Sequence, residues 1–408
     1  MKVPVKTVRG LKISIETGLE ESGHPDAAST SGFLYAEPGD KLSLLDSLYE
    51  INVLIYLPVV EDKWVHTYDY SPNQAWVVYE ECISIGASSD DEYIFKEKKY
   101  FRLCIRRVDG ADLSGGRIDD VLTFEKRDVL RFALLADSHY VVNGTWDTTV
   151  AGIWAANRDA KLDGIIHLGD LTDGMLSKEM CQHYANLVLG DLRSIGLPVL
   201  VALGNHDYNY FWHNPDKLSE HELSELYLGG GSPRYTADFS SHKLRLIFLD
   251  SFDPDRELKY GYSDECIRWS EDTLSRTPKD WNVIILSHLT PLSRLHAWSN
   301  HIHGEAELMK TLTAHSSKIL AFINGHQHTD HLCNDEAFPI VSVGCAKCEH
   351  FTEHKPEGAV TAERALGTKT QELWDILVVD SAAKTLRFER QGSGKDRIVR
   401  NAKAEWVD

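Results

Sequence analysis

The chain has 408 residues, 42% of them hydrophobic and 26% charged, an ordinary globular composition with length for two domains. Its formal charge of −19 speaks against a general grip on nucleic acid, because that grip needs Lys and Arg to displace counterions from phosphates. No run is long and apolar enough to span a bilayer, no apolar stretch follows the early lysines as an export signal requires, and the seven cysteines are odd in number and scattered. The expectations are therefore no membrane, no disulfide framework and a cytoplasmic location, or secretion if a leader has been removed.

Residues 1–128 read as an all-β accessory domain, β-sandwich-like, with strands expected at Lys12–Glu16, Glu50–Leu57, Ala75–Ile83 and Tyr100–Val108. Turn chemistry separates them, at Pro38-Gly39-Asp40 and around Gly110, Gly115 and Gly116. From residue 129 the pattern changes. Apolar runs at Phe132–Ala136, Gly164–Leu168, Val199–Leu203, Leu244–Leu249, Val283–Leu286 and Ile319–Ile323 alternate with helical spacing at Trp146–Ala160, Ser177–Ile195, Glu220–Leu228 and Asp264–Arg276. That alternation predicts α/β architecture with parallel strands buried on both faces. A last β pair, Trp374–Val379 and Thr385–Arg390, closes the 129–408 domain.

Five of the apolar runs end in side chains that bind metals: Asp137-Ser138-His139, Gly169-Asp170-Leu171-Thr172-Asp173, Gly204-Asn205-His206-Asp207, Ser287-His288 and Gly325-His326-Gln327-His328. One such Asp or His is ordinarily a cap or a satisfied core residue. Five are not, because loops at the carboxyl ends of strands in an open α/β sheet share one crevice. Two carboxylates, one amide oxygen and four imidazoles make a mixed O/N shell suited to Mn, Fe, Zn, Ni or Co.

In this order the five blocks resemble the calcineurin-like metallophosphoesterase superfamily, over roughly residues 130–395. The resemblance implies a four-layer α/β/β/α sandwich holding two divalent or mixed-valence transition-metal ions. One ion would take Asp137, His139, Asp170 and His328; the other would take Asp170, Asn205, His288 and His326, with Asp170 bridging. Asp173 stands where the purple acid phosphatase branch has a metal-binding Tyr, so the chain resembles the non-purple branch. The implied reaction is hydrolysis of a phosphodiester or phosphomonoester by a metal-bridging hydroxide, with His206 protonating the leaving group. Asp207 is expected to hydrogen-bond the His206 ring, and Asp173 to steady the Asp170 loop or a ligand imidazole.

Two ions minus two carboxylates and a hydroxide leave a net positive site inside an acidic protein. The expected substrate is small, phosphorylated or nucleotide-like, with long nucleic acid and membrane not expected; nothing sets the oligomeric state. A catalytically silent metal-binding scaffold for a protein partner is the alternative, but no ligand is missing. A nuclease is a second alternative, and the acidic balance opposes it. Tyr140 and the run Tyr208–Trp212 are candidates for a substrate wall or for plain packing. His296, His301 and His303 are read as surface-loop residues, and Cys345-Ala346-Lys347-Cys348 as ordinary thiols.

Overall fold

The computed structural model describes residues 2–58, 77–86, 91–113, 118, 120–211, 213–253, 255–297, 301–347 and 355–407. Gly115, Gly116, Trp212 and Cys348 lie outside the described residues, as does part of the expected strand 75–83. The chain divides into two compact units, Met1–Asp128 and Val129–Asp408.

Among the described residues of the first unit every strand pairing is antiparallel. Two sheets share one core, with Leu42, Leu44, Leu122 and Phe124 from one and Ile51, Val53, Phe101, Leu103 and Ile105 from the other. One sequence expectation needs correction, and one strand was not expected. The strand expected at Lys12–Glu16 is Thr7–Ile13, because Ser14 Oγ accepts the amides of Glu16 and Thr17 and turns the chain. The long strand Glu20–Thr30 has no apolar alternation, since its buried end consists of the small residues Ala27, Ala28, Ser29 and Thr30.

The second unit has two sheets. One is ordered β3 (Val199–Val201), β2 (Gly164–His167), β1 (Leu130–Leu135), β10 (Leu373–Asp380), β11 (Thr385–Gly392), β12 (Arg397–Arg400), β13 (Lys403–Trp406). The other is β4 (Tyr235–Phe239), β5 (Leu244–Leu249), β6 (Asn282–Ser287), β7 (Ile319–Asn324), β9 (Ile340–Ser342), β8 (His331–Cys333). The pairs β1–β2, β2–β3, β5–β6 and β6–β7 are parallel.

Side-chain parity explains the layers. Phe132 and Leu134 point between the sheets, where they meet Leu246, Phe248, Ile284, Leu286 and Ile323. Their neighbours Ala133 and Leu135 point outward to α1 (Trp146–Ala160), α2 (Lys178–Ser194) and α3 (Glu220–Leu228). On the far side Ile247, Leu249, Val283 and Ile285 pack on α4 (Asp264–Arg276) and α5 (Glu305–Ala314). Strands buried on both faces between two helix layers make the four-layer α/β/β/α sandwich. Ser177, Ser219 and Ser263 cap α2, α3 and α4 by accepting a first-turn amide. The sequence gives little sign of α5, a short helix with buried Leu308, Met309 and Leu312 entered through left-handed Gly304, or of the hairpin β12–β13.

Candidate metal centre

The carboxyl ends of β1, β2, β3, β6 and β7 carry the five blocks, and backbone hydrogen bonds lace the first two together. Asp137 N–H donates to Gly169 O (2.9 Å), His139 N–H to Asp170 O (3.0 Å) and Tyr140 N–H to Leu171 O (3.0 Å). His167, fully buried at the end of β2, adds a side-chain tie: Gly169 N–H donates to its Nδ1 (3.1 Å), so its proton sits on Nε2, 2.7 Å from Ser138 Oγ. Burial, with His288 nearby, pushes this imidazole down to about 3, so the ring is a neutral spacer. The sequence marks it only as the single polar residue inside the apolar run Gly164–Leu168.

All seven predicted ligands come together. His328 Nε2 lies 3.2 Å from His139 Nε2 and 3.4 Å from Asp137 Oδ1. His288 Nε2 lies 3.0 Å from His326 Nδ1, 3.2 Å from Asn205 Oδ1 and 3.2 Å from Asp170 Oδ2. Asp170 Oδ2 is also 3.9 Å from His139 Nε2 and 3.8 Å from His206 Nε2, placing it between the two groups. The sets Asp137, His139, His328 and Asp170, His288, His326 each offer ligand atoms within 4.8 Å of one another.

The donor chemistry fits a pair of cations. Imidazole nitrogens turned toward each other and toward two fully buried carboxylates are a costly arrangement unless positive charge sits among them. The ionisation of the cluster has the same polarity. His288 is pulled down by burial but raised further, to about 9, by Asp170; His328 is likewise raised against burial by Cys345 and Asp137. His139 and His326 are held well below the usual histidine value, chiefly by burial, and so favour the neutral ring a metal ligand needs.

The backbone is strained at this centre. Asp137, His139, Asp170, His326 and His328 have φ of 56°, 44°, 57°, 67° and 53°, a left-handed conformation that costs a residue with a Cβ about 1 kcal/mol or more. Sequence pattern carries no sign of this. Gly204 is required for close approach, since a Cβ there would collide with Asp170 Oδ1.

Two expectations are corrected. Asp207 does not orient the His206 ring: its carboxylate is occupied by the amides of Asp170 (2.8 Å), Gly204 (2.8 Å) and Leu171 (2.9 Å). The ring partner is the backbone carbonyl of Asp173, 2.6 Å from His206 Nδ1, while the Asp173 carboxylate accepts Val141 N–H (2.7 Å) in the loop after His139. His296 is not a surface residue. It is 6% exposed, with Nε2 3.0 Å from His326 Nε2. His301 is exposed, and His303 is held through its backbone by Tyr260 and Tyr262. Cys345 is buried, with Sγ 3.2 Å from Asp137 O.

Of the aromatic candidates, Phe211 stacks on His206 at 5.1 Å, and Tyr208 is buried with its hydroxyl donating to Asp250 (3.0 Å). Tyr140 lines a cleft of about 280 Å³ with Trp146 and Tyr184.

Comparison with known proteins bears on the family and the fold. Residues 130–330 match the family model for calcineurin-like phosphoesterases. No curated protein matches the chain. A dimetal phosphatase from Danio rerio is 17% identical with a TM-score of 0.51, over 67% of this chain and 99% of that one. Purple acid phosphatase PPD1 from yellow lupin (Lupinus luteus) is 12% identical with a TM-score of 0.43, over 95% of this chain and 80% of that one. The first likeness shows the fold. Among the described residues no helix is long and apolar enough to cross a membrane.

Proposed function

Because residues 130–330 form a calcineurin-like phosphoesterase domain, we propose that the chain hydrolyses a small phosphate ester at a two-cation centre. One cation would be held by Asp137, His139, Asp170 and His328, the other by Asp170, Asn205, His288 and His326. The observation that carries this reading is the position of Asp170 Oδ2 between the two donor groups, 3.2 Å from His288 Nε2 and 3.9 Å from His139 Nε2. A bound cation pair supplies Lewis-acid polarisation of the phosphoryl oxygens and acidification of water.

The residues around the centre do the rest. His206 donates its Nδ1 proton to Asp173 O, which turns Nε2 toward the Asp170 side, where it can deliver a proton to the departing ester oxygen. Phe211 packed on the ring restricts its rotation. Asp207 acts at a distance from the chemistry: by gathering the amides of Asp170, Leu171 and Gly204 it fixes two ligand loops against each other. The 129–408 unit is the catalytic domain in this reading and the first 128 residues are accessory.

The test is metal analysis of the purified chain, with turnover of paired chromogenic phosphomonoesters and diesters under added Mn, Ni, Zn or Fe. Two ions per chain and metal-dependent turnover of at least one ester class are expected. A metal-loaded chain that turns over neither ester class contradicts the proposal and favours a silent scaffold.

A further inference from the structure

We propose that His296 is a positioning residue that fixes the proton of His326, and so sets how tightly the Asn205, His288, His326 side of the centre holds its cation. This rests on the two-cation reading above.

The inference follows from where each ring proton can sit. His288 Nδ1 lies 2.7 Å from Leu168 O and must donate there, so Nε2, which faces Asp170 and Asn205, is the nitrogen that would offer its lone pair once a cation displaces its proton. His326 faces the same point through Nδ1, 3.0 Å from His288 Nε2. For that Nδ1 to offer a lone pair, the His326 proton must be on Nε2. His326 Nε2 is 3.0 Å from His296 Nε2, which accepts the proton's hydrogen bond only as a neutral ring protonated at Nδ1. The opposite arrangement, with His296 donating, would turn a His326 N–H into the centre and repel a cation. Ligand imidazoles depend on such outer partners for tautomer and orientation.

The contact is built rather than incidental. The two rings are nearly parallel, 19° apart with centroids at 4.9 Å, and the Tyr260 ring lies 5.2 Å from one and 5.3 Å from the other. A second clamp joins the same two loops, because Ala297 N–H donates to Gln327 Oε1 at 2.7 Å. His296, His326 and Gln327 are 6%, 5% and 0% exposed, so water does not substitute readily for the acceptor.

The experiment is titration of the metal-stripped full chain with Co²⁺, followed by calorimetry and by visible absorption, for the wild type, His296→Ala and His296→Gln. The expected result is one Co²⁺ equilibrium weakened about 10–100-fold in His296→Ala, the other nearly unchanged, and most of the loss recovered by the Gln amide oxygen as acceptor. Two Co²⁺ equilibria unchanged in His296→Ala, or Gln no better than Ala, overturns the proposal while leaving the two-cation reading intact. A folded wild type that takes up no Co²⁺ overturns both. If His296→Ala does not fold, as circular dichroism would show, His296→Asn replaces it: an amide too short to reach His326 should weaken one equilibrium where Gln does not, and equal behaviour of the two overturns the proposal.

Discussion

His206 Nδ1 stands 2.6 Å from the carbonyl oxygen of Asp173, so the ring is oriented by a neighbouring loop's backbone and not by the adjacent Asp207 carboxylate. This separates two variants that a simple His-Asp pair would make alike. His206→Ala should keep its metal and lose about 10²–10⁴-fold in turnover, most severely for poor leaving groups. Asp207→Asn should leave the leaving-group dependence unchanged. It should instead destabilise the fold by about 2–4 kcal/mol, because an amide cannot accept all three backbone N–H groups. Denaturant unfolding and a leaving-group series on both variants check this; a steepened leaving-group dependence in Asp207→Asn would restore the His-Asp pair.

Gly174 makes the His206 contact possible. Its φ is +70°, and a Cβ there would lie 2.7 Å from His206 Nδ1 and 3.1 Å from His206 Cα. Gly174→Ala should therefore displace the ring and lower kcat by about 10²-fold, as misplacement of a catalytic group by an ångström does, with metal content unchanged. Full turnover in a metal-replete Gly174→Ala chain would show that the ring position is not limiting.

A buried charge cluster braces the loop that carries His326 and His328. Arg390 and Arg397, from β11 and β12, pair with Asp375 of β10 and with Asp330, two residues beyond His328, and all four side chains are at most 2% exposed. Removing one member leaves an uncompensated buried charge, so Arg397→Met should cost about 3–5 kcal/mol. The pair Arg276–Asp272, 81% and 70% exposed, is the control: Arg276→Ala should change stability by less than about 0.5 kcal/mol. Equal effects of the two substitutions would contradict this ranking.

Glu222 closes a capping box on α3, its carboxylate accepting Ser219 N–H (2.8 Å) and pairing with Lys178. The Ser219 amide, then Lys178, then the Ser219 hydroxyl hold its pKa at about 2 against an ordinary 4.5. The folded state therefore binds the proton less readily than the unfolded chain. Its contribution is fully present above pH 4.5 and is lost as pH falls toward 2. Glu222→Gln should cost about 1 kcal/mol at pH 7 and progressively less as the pH falls through that window. A wild-type-minus-variant difference that stays constant with pH would contradict it.

Helices with a clear apolar period were legible at the residue level: α1, α3 and α4 fall where their spacing puts them, the last two behind a Ser cap. The seven residues proposed as ligands could be picked out because their blocks sit where apolar strands end. What escaped the sequence depends on non-local contact. Nothing near His296 in the chain shows that it will meet His326, thirty positions on. The choice between Asp207 and Asp173 as partner of His206 is made by the Gly174 turn, and residue type alone favours a carboxylate where a backbone carbonyl serves. The strand Glu20–Thr30 was missed because small residues can be buried without an apolar pattern.

The central claim is that one carboxylate serves both cations, and Asp170→Asn tests it most directly. Its side chain keeps its shape and loses its charge. With the fold verified, metal titration of Asp170→Asn should show both binding equilibria weakened by at least about 10²-fold and turnover lost with them. A folded Asp170→Asn chain that still binds two ions tightly and turns over normally would contradict the shared-carboxylate centre.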